Sequence, residues 1–236
     1  MKANILRAVI DKGNTRIKIA IFENSLLKDI FFLTSSNEIQ SYLEKYSISS
    51  VISTIPIEIE PTTNYHLLSN NSVLPFENLY KSPATLGLDR IASMAQASKH
   101  FHNQNTLVID AGTCITYDIL EASNKYLGGN IAPGLTMRWQ AMNKFTSSLP
   151  LGQLSDFSPL LGNNTLSAIS NGAIQGVIYE ISGYIDVLNK KYENLNIVLT
   201  GGDAKYLAKQ LNYRIFANDE WVLQGLFQLL LLNEIK

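Results

Sequence analysis

The stretch Val9-Ile10-Asp11-Lys12-Gly13-Asn14-Thr15 is echoed ninety-nine positions later by Val108-Ile109-Asp110-Ala111-Gly112-Thr113. A repeat of that period is too long for a solenoid unit and marks a duplicated domain, so the second half must share the fold of the first. In each copy an apolar run breaks at Asp, turns over Gly and resumes with alternating apolar residues: Ile17, Ile19 and Ile21 in the first, Ile115, Tyr117 and Ile119 in the second. The pattern predicts two β-hairpins, each with a carboxylate at its tip. Glycine lets the backbone N–H groups of such a turn approach a ligand, threonine adds a hydroxyl, and the carboxylate can hold a cation. A plain hairpin that uses Asp and Gly only as turn formers is the alternative.

The 236 residues suffice for two domains of ordinary size, placed by the repeat at residues 1–105 and 106–236, since no linker rich in Gly, Ser or charge separates the halves. Hydrophobic residues make up 46% of the chain, ample for buried cores. Nineteen Lys and Arg against twenty Asp and Glu leave a net charge of −1, which gives no reason to expect nucleic acid or an anionic membrane as partner. Residues 1–10 carry no signal-peptide apolar region, and the longest apolar run, at 229–232, is far too short to span a bilayer, so a cytoplasmic protein is expected. The single Cys114 excludes an internal disulfide and reads as a small buried filler. His66, His100 and His102 lack zinc spacing.

Further along, residues 37–46 carry the period of a short amphipathic helix and 51–55 that of a buried strand. Ile91, Met94 and Phe101 keep a helical period, which puts Asp89 at or just inside the start of a helix, where a carboxylate is also an ordinary cap. Leu127-Gly128-Gly129-Asn130-Ile131-Ala132-Pro133-Gly134 reads as a close-approach loop before a helix starting near Leu135. Residues 167–192 form the longest helix, with an apolar stripe and with Gly172, Gly176 and Gly183 placed to admit a second helix. The strand 196–200 ends in Gly201-Gly202-Asp203, an anion-accepting turn before a helix at 204–211. A last helix, 220–232, is apolar nearly all round and must be buried or lie in an interface.

Two Asp-Gly-Thr turns facing each other across an interdomain cleft, with a third glycine turn, describe a site for a nucleotide polyphosphate and its metal. No Gly-x-x-x-x-Gly-Lys-Ser/Thr string is present, which argues against a P-loop enzyme.

Taken in order, Asp11-Lys12-Gly13-Asn14-Thr15, Tyr80 ahead of Gly87-Leu88-Asp89-Arg90, Asp110-Ala111-Gly112-Thr113, Gly128-Gly129-x-x-x-Pro133-Gly134 and Thr200-Gly201-Gly202 resemble the motif set of type III pantothenate kinases. The resemblance implies an α/β fold of two duplicated ribonuclease-H-like domains, the actin-like, sugar-kinase ATPase fold. It implies a cytoplasmic homodimer that uses ATP and Mg²⁺ to phosphorylate the primary hydroxyl of pantothenate in coenzyme A synthesis. On individual residues, it implies that Asp11, Lys12, Gly13, Asn14, Thr15, Arg16, Ile17, Lys18 and Thr113 contact ATP, and that Asp89 is the proton acceptor. Tyr80, Gly87, Leu88, Asp89, Arg90 and Thr165 would bind pantothenate, and Asp110 a monovalent cation, K⁺ or NH₄⁺. Lys12 departs from the family, which has an apolar residue there. Two other readings are a non-catalytic nucleotide-binding accessory or regulatory protein and another small-alcohol kinase on the same fold.

Overall fold

The computed structural model describes residues 5–13, 15–58, 63–154 and 160–234. The chain forms two compact units: Met1–Asn103 with Ser123–Leu127 and Glu220–Lys236, and Gln104–Ala122 with Gly128–Asp219.

In the first unit β1 (Leu6–Lys12) and β2 (Ile17–Glu23) form the first predicted hairpin, extended by β3 (Leu26–Leu33) on one side and by the parallel strands β4 (Ile48–Ser53) and β5 (Asn64–Leu67) on the other, in the order β3-β2-β1-β4-β5. The second unit repeats this plan. Its hairpin, β7 (Thr106–Ala111) and β8 (Cys114–Leu120), is flanked by β9 (Lys125–Pro133) and by the parallel strands β10 (Asn196–Thr200) and β11 (Phe216–Ala217), in the order β9-β8-β7-β10-β11. Asp11 and Asp110 therefore occupy the same place, next to last on the central strand of each sheet. Strand β9 begins in the first unit, where Lys125 and Tyr126 pair with Glu77 and Asn78 of the short β6 (Glu77–Asn78).

Helix α2 (Leu88–His100) buries Arg90 through Ser98, and α6 (Trp221–Glu234) packs on it and on β1, β4 and β5. The near-continuous apolar surface of α6 is thereby explained. Trp221 donates its indole N–H to the Ser93 carbonyl at 3.1 Å, and Phe227 stacks on Phe22 with ring centroids 4.2 Å apart. At the far end of the helix Glu234 accepts from Arg7 of β1 at 2.9 Å and from the Ser50 hydroxyl of β4. In the second unit α3 (Leu135–Phe145), α4 (Thr165–Lys191) and α5 (Ala204–Ala208) complete a core of Leu107, Ile109, Tyr117, Trp139, Val177, Ile181 and Leu199.

Several sequence expectations need correction. Residues 37–46 give only a 3₁₀ turn and the five-residue α1 (Ile39–Leu43), too few apolar positions to extend further. The glycine-marked loop after residue 127 is strand β9. Gly129 is there because a Cβ would overlap the Tyr117 carbonyl of the neighbouring strand, not because the chain turns. Cys114 is half-buried rather than a core filler, since it stands at the first residue of β8, beside the turn. Among the described residues nothing lies within 4 Å of a Cβ at Gly172 or Gly183, and one at Gly176 would meet the end of the Arg138 side chain of α3.

Candidate functional site

The β1–β2 turn of the first unit is tight: the Gly13 N–H donates to the Arg16 carbonyl at 3.1 Å, and the Lys12 N–H to the Thr54 hydroxyl at 2.9 Å. Asp11 pairs across the strands with Lys18 and is 8% exposed. Burial pushes its carboxyl up to about 6; the Lys18 ammonium opposes the shift, and the negative charge of Asp89 adds to it. Lys12, Gly13, Thr15 and Arg16 are exposed at the turn. The Arg16 guanidinium lies 4.4 Å above the Phe32 ring of β3. Ile17 is a core residue at 4% exposure, so only its backbone is available to a ligand. Asn14 lies outside the described residues.

Asp89 is exposed in the first turn of α2, and its Oδ1 accepts from the Arg90 N–H at 2.8 Å. That inward fold of the carboxylate requires glycine at 87, because a Cβ there would overlap Asp89 Oδ1. Arg90, 5% exposed, holds its guanidinium 5.3 Å from the Tyr80 ring centroid, a cation–π contact. Leu88 and Tyr80 are half-buried. Asp11, Lys18, Asp89, Arg90 and Tyr80 thus belong to one cluster in this unit.

In the second unit Asp110 is half-buried, and Thr113 is exposed at the β7–β8 turn, where the Gly112 N–H donates to the Cys114 carbonyl at 3.0 Å. Two glycines close this turn. A Cβ at Gly134 would overlap the Gly112 and Thr113 carbonyls, and one at Gly201, which stands at φ +95, would overlap the Ala111 backbone and Asp110 Oδ1. The Asp203 N–H donates to the Ala111 carbonyl at 3.0 Å, and burial raises the Asp203 carboxyl above its ordinary value. Thr165 is exposed at the first residue of α4, behind a capping box in which Asn164 accepts from the Ser167 N–H at 3.0 Å. It borders an open recess of about 520 Å³ lined also by Met142, Leu149, Asn163 and Asn164.

Two residues absent from the sequence-derived set touch it: Phe32 under Arg16, and Tyr126, whose buried ring stacks on Tyr80 at 6.1 Å and 19°. Both lie on strands that the sequence pattern does not disclose. Among the described residues no cluster of three or more His, Cys, Asp or Glu side chains is arranged to hold a metal ion, and no helix is long and apolar enough to cross a membrane.

The family model for type III pantothenate kinase matches residues 44–187. A type III pantothenate kinase of Flavobacterium johnsoniae is 40% identical over 232 residues, covering 93% of this chain and 95% of its own. Another, of Christiangramia forsetii, is 40% identical over 241 residues, covering 97% and 99%. Among solved structures, a Baf family protein of Campylobacter jejuni superposes with a TM-score of 0.64 at 21% identity over 97% of this chain and all of that one. A ROK family protein of Streptococcus pneumoniae does so with a TM-score of 0.56 at 13% identity over 98% and 99%. These two likenesses concern the fold, and with the twice-repeated sheet order they identify it as the actin-like, sugar-kinase type of duplicated ribonuclease-H-like domains. By the family model and by relatives of 40% identity along nearly its whole length, the chain belongs to the type III pantothenate kinase family.

Proposed function

We propose that the chain transfers the γ-phosphoryl group of ATP to the primary hydroxyl of pantothenate, the first step of coenzyme A synthesis. The observation that carries the reading is the cluster in the first unit. The phosphate-type turn at Asp11 and the acid at Asp89 lie within electrostatic reach, and Arg90 and Tyr80 flank the second acid. Phosphoryl transfer asks little more of a protein than oriented N–H donors, a neutralising cation and a carboxylate that aligns the attacking oxygen.

In this reading Asp11 through Lys18, Asn14 included, hold ATP together with Thr113, Ile17 contributing through its backbone. Tyr80, Gly87, Leu88 and Arg90 hold pantothenate, and Thr165 is assigned to pantothenate too, in its own chain's site or a partner's. Asp89 aligns the hydroxyl with the γ-phosphorus and takes its proton late, because a carboxylate is too weak a base to remove it beforehand.

Membership of a kinase family brings ATP and a divalent metal ion with it. The residues fit Mg²⁺, which takes one or two carboxylates and completes its shell with phosphate oxygens and water; Asp11, buried beside a second carboxylate, supplies that donor. Bound there with ATP, the ion would neutralise phosphate charge. A monovalent cation, K⁺ or NH₄⁺, is assigned to Asp110, whose carboxylate lies against the Gly201 backbone, where no side chain fits. The duplicated sequence copies are proposed to be 1–105 and 106–236, with α6 of the second copy packing within the first compact unit, and the active form a cytoplasmic homodimer. The exposed Leu166, Tyr179 and Val187 of α4 are consistent with a partner.

The test is ADP release by the purified chain with and without pantothenate. Release that requires pantothenate, with a product phosphorylated at its primary hydroxyl, is expected. Release indifferent to pantothenate, or none at all, overturns the reading.

A further inference from the structure

Tyr126 is fully buried, yet two aromatic rings and a cation are arranged about it in sequence. Its ring stacks on Tyr80 with centroids 6.1 Å apart and planes 19° from parallel. Tyr80 in turn carries the Arg90 guanidinium 5.3 Å from its centroid. Phe76, also buried, meets Tyr126 edge-on at 6.0 Å and 73°. The backbone fixes the same geometry: the Leu79 N–H donates to the Tyr126 carbonyl at 3.0 Å, Asn78 pairs with Tyr126 in the β6–β9 ladder, and the Tyr80 N–H donates to Asn78 Oδ1 at 3.0 Å.

Offset stacking and cation–π contacts both depend on ring orientation, so the plane of Tyr126 constrains the plane of Tyr80, and through it one of the contacts that seat Arg90. Tyr126 is too buried to touch a substrate itself. We infer that Tyr126 is a positioning residue for the acceptor-alcohol half of the site, acting through Tyr80 and Arg90 and leaving the nucleotide half alone. The inference rests on the proposed assignment of Tyr80 and Arg90 to pantothenate. Its chemical content is that a flat, polarisable ring is needed at 126.

The test is steady-state kinetics of Tyr126→Phe and Tyr126→Leu, each accompanied by a thermal melt. Tyr126→Phe keeps the ring and should hold its pantothenate KM several-fold closer to wild type than a ringless variant does. Tyr126→Leu should raise KM for pantothenate about tenfold, the effect of losing one aromatic contact, while KM for ATP changes less than about twofold. Should the leucine variant not fold, Tyr126→Met fills the volume without a ring and replaces it in the comparison. A ringless variant that melts earlier but keeps its pantothenate KM makes Tyr126 a packing residue only and overturns the inference. So does a Phe variant as impaired as Leu. Wild-type ADP release that ignores pantothenate fails the functional reading instead, and is seen before any variant is made.

Discussion

The negative charge of Asp89 at the start of α2 reaches Asp11 at the end of β1 and adds to the burial that pushes the Asp11 carboxyl up to about 6, against the pull of Lys18. The folded carboxyl therefore holds its proton to a higher pH than the unfolded one, whose value is 3.8. Between those values the folded chain binds the extra proton. Stability falls as pH rises through that window and stays lower above it, by about 3 kcal/mol for the full shift. Asp11→Asn has no such titration. The unfolding free energy of the variant relative to wild type, from denaturant curves at about pH 4.5 and about pH 7.5, should increase by about 2 kcal/mol across the interval. A difference that does not change with pH contradicts the environment described for Asp11.

Asp89→Asn keeps an oxygen that can accept from the Arg90 N–H and keeps the start of α2, so the fold and ATP binding should survive. What is lost is the proton acceptor, and turnover should drop at least ~100-fold. Steady-state ADP release together with a nucleotide-binding titration checks both halves, and retained turnover removes Asp89 from the proposed role.

Asp110→Asn removes a charge from a turn walled by the Gly201 backbone. Its activity should lose any dependence on K⁺ or NH₄⁺, while wild type should require one of them. Assays in sodium, potassium and ammonium salts at equal ionic strength decide this, and a wild-type rate equal in all three counts against the cation assignment.

The two hairpins were legible in the sequence because each repeats the same strand, turn and return strand, and α4 because its apolar stripe at 169, 173, 177, 181 and 185 is long and regular. The outer strands were not. Strand β3, Leu-Leu-Lys-Asp-Ile-Phe-Phe-Leu, lacks clean alternation, and its Asp29 is tolerated because the Tyr46 hydroxyl donates to it at 2.9 Å, from a residue distant in sequence. In β9 the glycines mimic a loop, although Gly129 is demanded by the neighbouring strand and Gly128 by its φ of 103°. The same non-locality governs the candidate site. Asp11, Asp89 and Asp110 stand beside their own glycines and can be picked out one by one, whereas Phe32 and Tyr126 acquire their partners only when strands pair.

Glu180 of α4 accepts the Tyr117 hydroxyl at 2.7 Å and the Arg138 guanidinium at 2.6 Å, tying β8 and α3 to the long helix. Burial first, and then the hydrogen bond to Glu180, hold the Tyr117 phenol well above its ordinary range, so it stays a donor. Glu180→Ala leaves that buried hydroxyl without its acceptor and Arg138 without its counter-charge, at a cost of about 2–4 kcal/mol. Tyr117→Phe removes the donor without burying an orphaned one and should cost about 1–2 kcal/mol. Urea unfolding of both variants is the check; equal losses would mean that the orphaned phenol carries no penalty.

Helical glycines in this chain should respond to alanine with opposite signs. At Gly225 of α6 a Cβ would overlap the carbonyl of Ala92 in α2; the Trp221–Ser93 hydrogen bond ties the two helices together, and the Phe227–Phe22 stack fixes α6 on β2. Gly225→Ala must push the helices apart, at a cost of about 1–3 kcal/mol that outweighs the roughly 1 kcal/mol alanine gains in helix propensity. At Gly183 of α4 nothing lies within 4 Å of the position, so Gly183→Ala should raise stability by about 0.4–1 kcal/mol through the unfolded chain. Denaturant midpoints measured at a dilution where the chain is monomeric test the pair. If Gly183→Ala is neutral or destabilising there, the open face of α4 is covered within the chain, contrary to the structure.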